Sequence, residues 1–220
     1  MQYIDFIEQQ HKSTKRDYLG RVNEASKAEC AKVAKQFGYD FFDGERKYGY
    51  GGYKYDGRWA PVAKQMIEHY GLQPGMKVLD VGCGKGHLLY EMKKQMPELS
   101  VLGIDPSEYA ITHTVKEIEP DLQVGRAQDL GHFGDNEFDL VITLNAIHNL
   151  YIYDLVDAVK NIERIGRQKY IVVESYRTEE ERVNMLYWQL TCECFFKVEE
   201  WEWIYKQCGY TGDYSFIFFD

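Results

Sequence analysis

The 220-residue chain has no apolar run near the ~20 residues that a bilayer span requires, and its first residues (MQYIDFIEQQHK) lack the basic-then-apolar order of a secretion signal. Neither a membrane span nor an export leader is expected, which points to the cytoplasm. Basic charge is not in excess either, since 26 Lys and Arg stand against 35 Asp and Glu for a net charge of −9. A protein that grips nucleic-acid phosphates usually carries a basic domain or stripe, so no nucleic-acid partner is expected. Cysteine is sparse, with 5 residues at Cys30, Cys83, Cys192, Cys194 and Cys208. The close pair Cys192-x-Cys194 has neither the CxxC nor the Cys/His spacing of a zinc site or redox pair, so these thiols read as reduced packing residues. Internal repeats and low-complexity tracts are absent too.

What is present is enough apolar surface for a large core, at 45% hydrophobic and 15% aromatic residues. In residues 1–37, Tyr18, Val22, Ala25 and Cys30 recur at helical intervals and predict one or two helices before any strand. Residues 38–59 (GYDFFDGERKYGYGGYKYDGRW) show neither period and read as an ordered loop. Residues 1–60 are therefore expected to form a helical and Tyr/Gly-rich cap on a domain over 61–220.

That domain opens with a helix over Pro61–Tyr70. Strand signals then fall at 76–82, 100–105, 122–127, 138–144 and 169–174, with helical patterns at 86–95, 108–118 and 153–165 between them. Apolar strands alternating with helices of this length predict an α/β fold, a doubly wound and mostly parallel sheet covered on both faces. The tail from Thr178 reads as one or two helices reaching Cys208, then a strand over Tyr214–Phe219. Its aromatic stretch Cys192–Tyr205 suits either core packing or a substrate wall.

The strongest chemical signal is the turn after the first sheet strand. Val78–Gly86 reads VLDVGCGKG, with glycines at 82, 84 and 86. A G-x-G-x-G turn lets the backbone bend sharply and approach a ligand at the start of the following helix. The dinucleotide fingerprint would need its third glycine one residue later, where His87 stands, which disfavours a nicotinamide dehydrogenase. Asp105 ends the second strand, 23 residues after Gly82. An acid there accepts bonds from ribose hydroxyls of a nucleoside lying across the strand ends. Asp-Pro-Ser also suits a turn and helix cap, and the two roles are compatible.

Four segments, VLDVGCGKGH, VLGID, GRAQDL followed by FGDNEFD, and DLVITLNAIHNL, stand in an order and spacing that resemble the class I S-adenosylmethionine-dependent methyltransferases of the small-molecule type. The resemblance spans about residues 61–176 and implies a seven-stranded-type sheet, S-adenosylmethionine as cofactor and S-adenosylhomocysteine as product. It places Asp80, Gly82, Cys83 and Gly84 along the methionine and ribose portion, Asp105 at the ribose hydroxyls and Pro106 against the adenine. Ala127, Gln128 and Asp129 fall in the loop that contacts the adenine. Arg126 stands where many members carry an acid, leaving Asp129 to supply that contact. Asn145 is implied to lie below the methionine portion and the transferring methyl group.

Methyl transfer needs a nucleophile held in line with the breaking bond and, where that nucleophile carries a proton, a base. No metal is required for it. His148 follows the fourth strand at the ligand-binding edge and titrates near neutrality in water, so it is the first candidate base. The alternative is a histidine satisfied by backbone bonds at a helix start. Glu174 closes the fifth strand and ranks second, either orienting a substrate hydroxyl or amine or pairing with Arg177 or a lysine. In the cap, Tyr48 and Arg58 are assigned to the cofactor, and Tyr53, Tyr55 and Trp59 to substrate, together with Tyr176 and Arg177 after the fifth strand. The alternative is a tyrosine-rich loop that only packs. His11, His69, His113 and His132 read as surface or capping residues, and His87 as packing on the cofactor side. The resulting expectation is methyl transfer to an oxygen or nitrogen of a small polar metabolite, by a monomer or homodimer. The rivals are a sugar, nucleotide-linked or larger acceptor, and a non-catalytic protein that only binds S-adenosylmethionine.

Overall fold

A computed structural model describes residues 1–12 and 16–220, and Ser13–Lys15, within the stretch read as helical, lie outside the described residues. Six strands, β1 Lys77–Val81, β2 Ser100–Asp105, β3 Leu122–Val124, β4 Phe138–Leu144, β5 Gly166–Glu174 and β6 Asp213–Ile217, form one sheet in the order β3-β2-β1-β4-β5-β6. All five strand pairings are parallel.

The near-continuous apolar runs explain the architecture, because a strand covered on both faces has no side to keep polar. Along β1, Val78 faces one core layer while Leu79 and Val81 face the other; along β4, Leu140 and Ile142 oppose Val141. Helices α5 (Ala60–His69) and α6 (His87–Gln95) pack the first layer, with α7 (Glu108–Thr112) contributing Ile111. Helices α8 (Ile152–Ile165) and α10 (Val198–Gln207) pack the second through Leu155, Val159, Trp201 and Tyr205. Trp201 and Tyr205 are wholly buried. This part of the aromatic tail is therefore core, and Trp201 Nε1 donates to the Glu174 carbonyl at 3.1 Å, fixing the end of β5.

The seven-stranded expectation is corrected to six, with no antiparallel strand among the described residues. The outer edge of β6 is met by the start of the chain. Tyr3 forms a parallel bridge with Tyr214, Ile4 N donates to the Tyr214 carbonyl, and Tyr214 N donates to the Gln2 carbonyl, both at 3.0 Å. Residues read as leading into helices thus cover an edge whose amides and carbonyls would otherwise be open to pairing.

Four short helices follow, α1 Glu8–Lys12, α2 Tyr18–Glu24, α3 Lys27–Ala34 and α4 Tyr39–Phe42. The tail is two helices, α9 Glu179–Trp188 and α10, separated by an irregular segment over 189–197. N-terminal residues, the Tyr-rich loop and the segments after β1, β4 and β5 together enclose a cavity of about 400 Å³. That lies within the range of about 300–1,000 Å³ usual for small-molecule sites. Among the described residues no helix is long and apolar enough to cross a membrane.

Candidate active site

The glycine turn is built by conformation and by lack of room. Gly82, Gly84 and Gly86 have φ of +79°, +55° and +64°, a region that residues with a Cβ rarely enter. A Cβ on Gly82 would lie 2.2 Å from the Ala146 Cβ. Gly82 N and Cys83 N both donate to the Ile104 carbonyl, at 2.7 and 3.0 Å, and fold the turn across the end of β2. Asp105 completes the tie, accepting from Gly84 N and from Ser107 N at 2.8 Å each. The α7 cap is Ser107, whose Oγ accepts from Ala110 N at 2.9 Å.

Two carboxyl groups near this turn are pushed toward their neutral forms. Asp80 is 3% exposed and its Oδ1 has no partner. Burial, with the Asp105 charge second, raises its pKa to about 8. Burial likewise raises Asp105 to about 6 against the two amide bonds.

Beside this turn, Asn145 follows the last residue of β4 with φ +55°, a strained position that asparagine tolerates better than most residues. Its Nδ2 donates to Glu174 Oε1 at 3.2 Å, an oxygen that also accepts from Gln189 Nε2. His148 sits in a single 3₁₀ turn over Ile147–Asn149 and is 1% exposed. Its Nε2 is 3.6 Å from Glu174 Oε2, and its Nδ1 has no partner. The His148 carbonyl accepts from Glu193 N and Cys194 N, which binds segment 189–197 to this wall. Burial lowers the His148 pKa to about 3 and raises that of Glu174 to about 8. Near neutrality the carboxyl keeps its proton and the imidazole is neutral. Cys192 joins them, with one ligand atom from each of the three residues within 4.8 Å of the others. Sequence spacing gave no hint of that cluster.

The cap closes on the turn from above. Phe42 and Tyr53 carbons lie 3.7 and 3.8 Å from where a Gly84 Cβ would sit, and Tyr53 stacks on His87 at 4.9 Å. Asp43 latches the cap down, accepting from Lys85 Nζ at 2.5 Å and from the Tyr109 hydroxyl at 2.7 Å.

Of the residues singled out in the sequence, Tyr53, Arg58, Trp59, Asp80, Gly82, Cys83, Gly84, Asn145, His148 and Glu174 line this same cavity. Others do not reach it. Tyr48 packs beside Cys30, Ala34 and Leu190 under the cap helices. Tyr55 donates to Glu91. Tyr176 forms a bridge with Lys197, and Arg177 pairs with Glu181 one turn into α9 and lies over Phe218, so these two do not enter the cleft behind Glu174. Asp105, Pro106, Ala127, Gln128 and Asp129 stay outside the cavity, on the β2–β3 side. Arg58 lines it, but its guanidinium is engaged by Asp56, with Nε to Oδ2 at 2.8 Å.

The wall also holds residues that the sequence did not single out, among them Tyr50, Trp188 and Gln189, and His11, which was read as surface or capping. Tyr50 retains 43% of its surface, yet desolvation pushes its hydroxyl up to about 12. That combination suits a side chain facing an internal space.

A stability prediction follows from the three raised carboxyls. Each is protonated in the folded chain at a pH where the unfolded chain has released its proton, so stability is greatest at low pH within this window and is lost as pH rises through about 6 to 8. Thermal melting of the ligand-free protein should fall by several degrees between pH 5.5 and pH 9, roughly 2 kcal/mol or more. Asp80→Asn should flatten part of that fall. A melting temperature that rises across the window contradicts the assignment.

A family model described as a methyltransferase domain matches residues 72–210. The chain belongs to that family, the class I S-adenosylmethionine-dependent methyltransferases. It is similar to cycloartenol-C-24-methyltransferase 1 of Oryza sativa subsp. japonica, at 32% identity over 165 residues, covering 67% of this chain and 46% of that protein. The chain spans about half the length of the curated relatives it matches, 46% and 56% for two of them. Among solved structures, the YcgJ protein of Bacillus subtilis matches with a TM-score of 0.55 and 21% identity over 66% of each chain. Geranyl diphosphate C-methyltransferase of Streptomyces coelicolor A3(2) matches with a TM-score of 0.54 and 14% identity over 66% of this chain and 58% of that one. At those identities the likeness is one of fold, and the strand positions of β1, β2 and β4 bear out the α/β reading.

Proposed function

We propose that the chain transfers the methyl group of S-adenosylmethionine to an oxygen or nitrogen of a small polar metabolite, releasing S-adenosylhomocysteine. The carrying observation is the continuity of the cavity. One space is lined by the glycine turn and Asp80 at one side and by Asn145, His148 and Glu174 at the other.

The residues fit an adenosyl ligand at its methionine end. The orphaned oxygens of Asp80 and Asn145, two residues that line the cavity, call for donors that an α-amino group has. Asp80, Gly82, Cys83, Gly84 and Asn145 would hold that end, and Asp105 with Pro106, Ala127, Gln128 and Asp129 the nucleoside. When bound, S-adenosylmethionine supplies a methyl group already activated on a sulfonium. The chain's task is then position and proton handling. His148 takes the acceptor's proton through Nδ1, the ring nitrogen left without a protein partner. Glu174 stands 3.6 Å from His148 on the same wall and is itself held by Asn145. Tyr50, Tyr53 and Trp59 exclude water from above.

A volume of about 400 Å³ supports a small acceptor over a large one. A cytoplasmic location is the accompanying reading, supported by five free cysteines and no disulfide among the described residues, and a monomer or homodimer is proposed with it. An acceptor screen with methyl-labelled S-adenosylmethionine tests the proposal. Label should move to a hydroxyl- or amine-bearing metabolite and should be lost with His148→Ala. Label found on carbon alone, or no transfer to any metabolite pool, overturns it.

A further inference from the structure

The cavity has a second, cationic lobe. Guanidinium carbons of Arg16, Arg21 and Arg46 lie 5.5, 4.6 and 5.1 Å from the centre of one Trp188 ring, and all four residues line the cavity. In a chain of net charge −9 this is a concentrated patch of the opposite sign. Arg21 Nε donates to the Trp188 carbonyl at 2.9 Å and its Nη1 to the Arg46 carbonyl at 3.1 Å. Arg46 Nη1 donates to the Gly49 and Tyr50 carbonyls at 2.7 and 3.1 Å. These bonds fix both forks and leave their charge uncompensated. Arg58, Arg164, Arg167, Arg177 and Arg182 each have a carboxylate within 4 Å. Among the described residues Arg21, Arg46 and Arg126 have none, and of these Arg21 and Arg46 line the cavity. Burial, and then the neighbouring Arg46 charge, lower the Arg21 pKa, in keeping with two like charges held close together.

The position of the lobe separates it from the glycine turn. Trp188 ends the helix after β5, and Arg16 also lies 5.3 Å from the ring of Phe219, just beyond β6. The glycine turn follows β1, and β4 stands between β1 and β5. The two lobes thus belong to segments that follow different strands, and Asn145, His148 and Glu174 line the same cavity.

We propose that this lobe binds an anionic oxygen group of the acceptor, a carboxylate or a phosphate, and so orients the acceptor's nucleophilic atom toward His148. Planar guanidinium forks suit such groups because they offer paired donors. The proposal rests on the methyltransferase reading for the word acceptor, and the anion site itself can be tested apart from it.

The test is calorimetric titration of the full chain with inorganic phosphate, pyrophosphate and citrate at constant ionic strength, chloride being the control, and with S-adenosylhomocysteine on the same samples. The variants are Arg21→Met and Arg46→Met, with Arg21→Lys and Arg46→Lys keeping the charge without the fork and circular dichroism reporting the fold. Wild type should bind at least one of the three anions, the Met variants should lose at least tenfold of that affinity, and the Lys variants should fall between. Affinity for S-adenosylhomocysteine should stay within threefold. Three results overturn the proposal: no anion binding beyond chloride, anion binding unchanged in the Met variants, or a tenfold loss of S-adenosylhomocysteine affinity without loss of the anion, which would assign the arginines to the cofactor's carboxylate. Anion binding that depends on the arginines in a protein that binds no S-adenosylhomocysteine sinks the methyltransferase reading and leaves the anion site standing.

Discussion

Gly82→Ala is expected to abolish measurable S-adenosylmethionine binding and to lower the melting temperature. The new Cβ would meet the Ala146 Cβ at 2.2 Å, and the backbone φ of +79° is hostile to any side chain. Relief requires the turn to move away from the loop after β4. The amide pair that Gly82 and Cys83 send to the Ile104 carbonyl then goes with it. Left-handed strain costs about 1–3 kcal/mol, or roughly 2–12 °C of melting temperature for a chain of this size. Loss of cofactor affinity should be at least about 100-fold, near 3 kcal/mol. Gly84→Ala is the internal comparison. Its Cβ would have ordinary contacts at 3.7 and 3.8 Å, so only the cost of φ +55° remains. It should bind within about tenfold of wild type. Equal behaviour of the two variants would contradict the packing argument.

His148→Ala should lower kcat by about 10²–10⁴-fold, the usual worth of a positioned acid or base, while the cofactor dissociation constant changes less than threefold. The imidazole lies on the wall with Glu174 and Cys192, and its Nδ1 has no protein partner. Asp105→Ala should do the reverse. It removes the acceptor of both Gly84 N and Ser107 N, so cofactor affinity should fall at least about 30-fold, with kcat at saturation changed little. Steady-state kinetics with a direct binding measurement separates the two. Small and equal effects of both changes would remove His148 from proton transfer and Asp105 from cofactor binding.

Most of the sheet was legible in the sequence because parallel strands buried on both faces read as short apolar runs. The runs at 100–105 and 138–144 match β2 and β4 at both ends. The edge was not. Gln2–Ile4 is too short to show a period, and nothing local says that it pairs with Tyr214, more than two hundred residues away. Within the site, residues fixed by the strand ends and the glycine turn were readable, since the fold sets where those positions point. Loop residues were not, because a nearby carboxylate decides their direction. Glu91 takes Tyr55, Asp56 takes Arg58 and Glu181 takes Arg177. Arg16, Arg21 and Arg46 went unnoticed for the complementary reason. Their spacing matches neither strand nor helix period, and only the packing of α2 and the loop after α4 against Trp188 gathers them.

The central claim is that the glycine turn and the His148–Glu174 wall form one adenosyl-binding, methyl-transferring cavity. Calorimetric titration of the protein with S-adenosylmethionine and S-adenosylhomocysteine, with NAD as control, tests it most directly. The account predicts micromolar or tighter binding of both adenosyl ligands and none of NAD, with a binding enthalpy at pH 7 that varies with the buffer as Asp80 releases its proton. Absence of adenosyl binding, or equal binding of NAD, would contradict it.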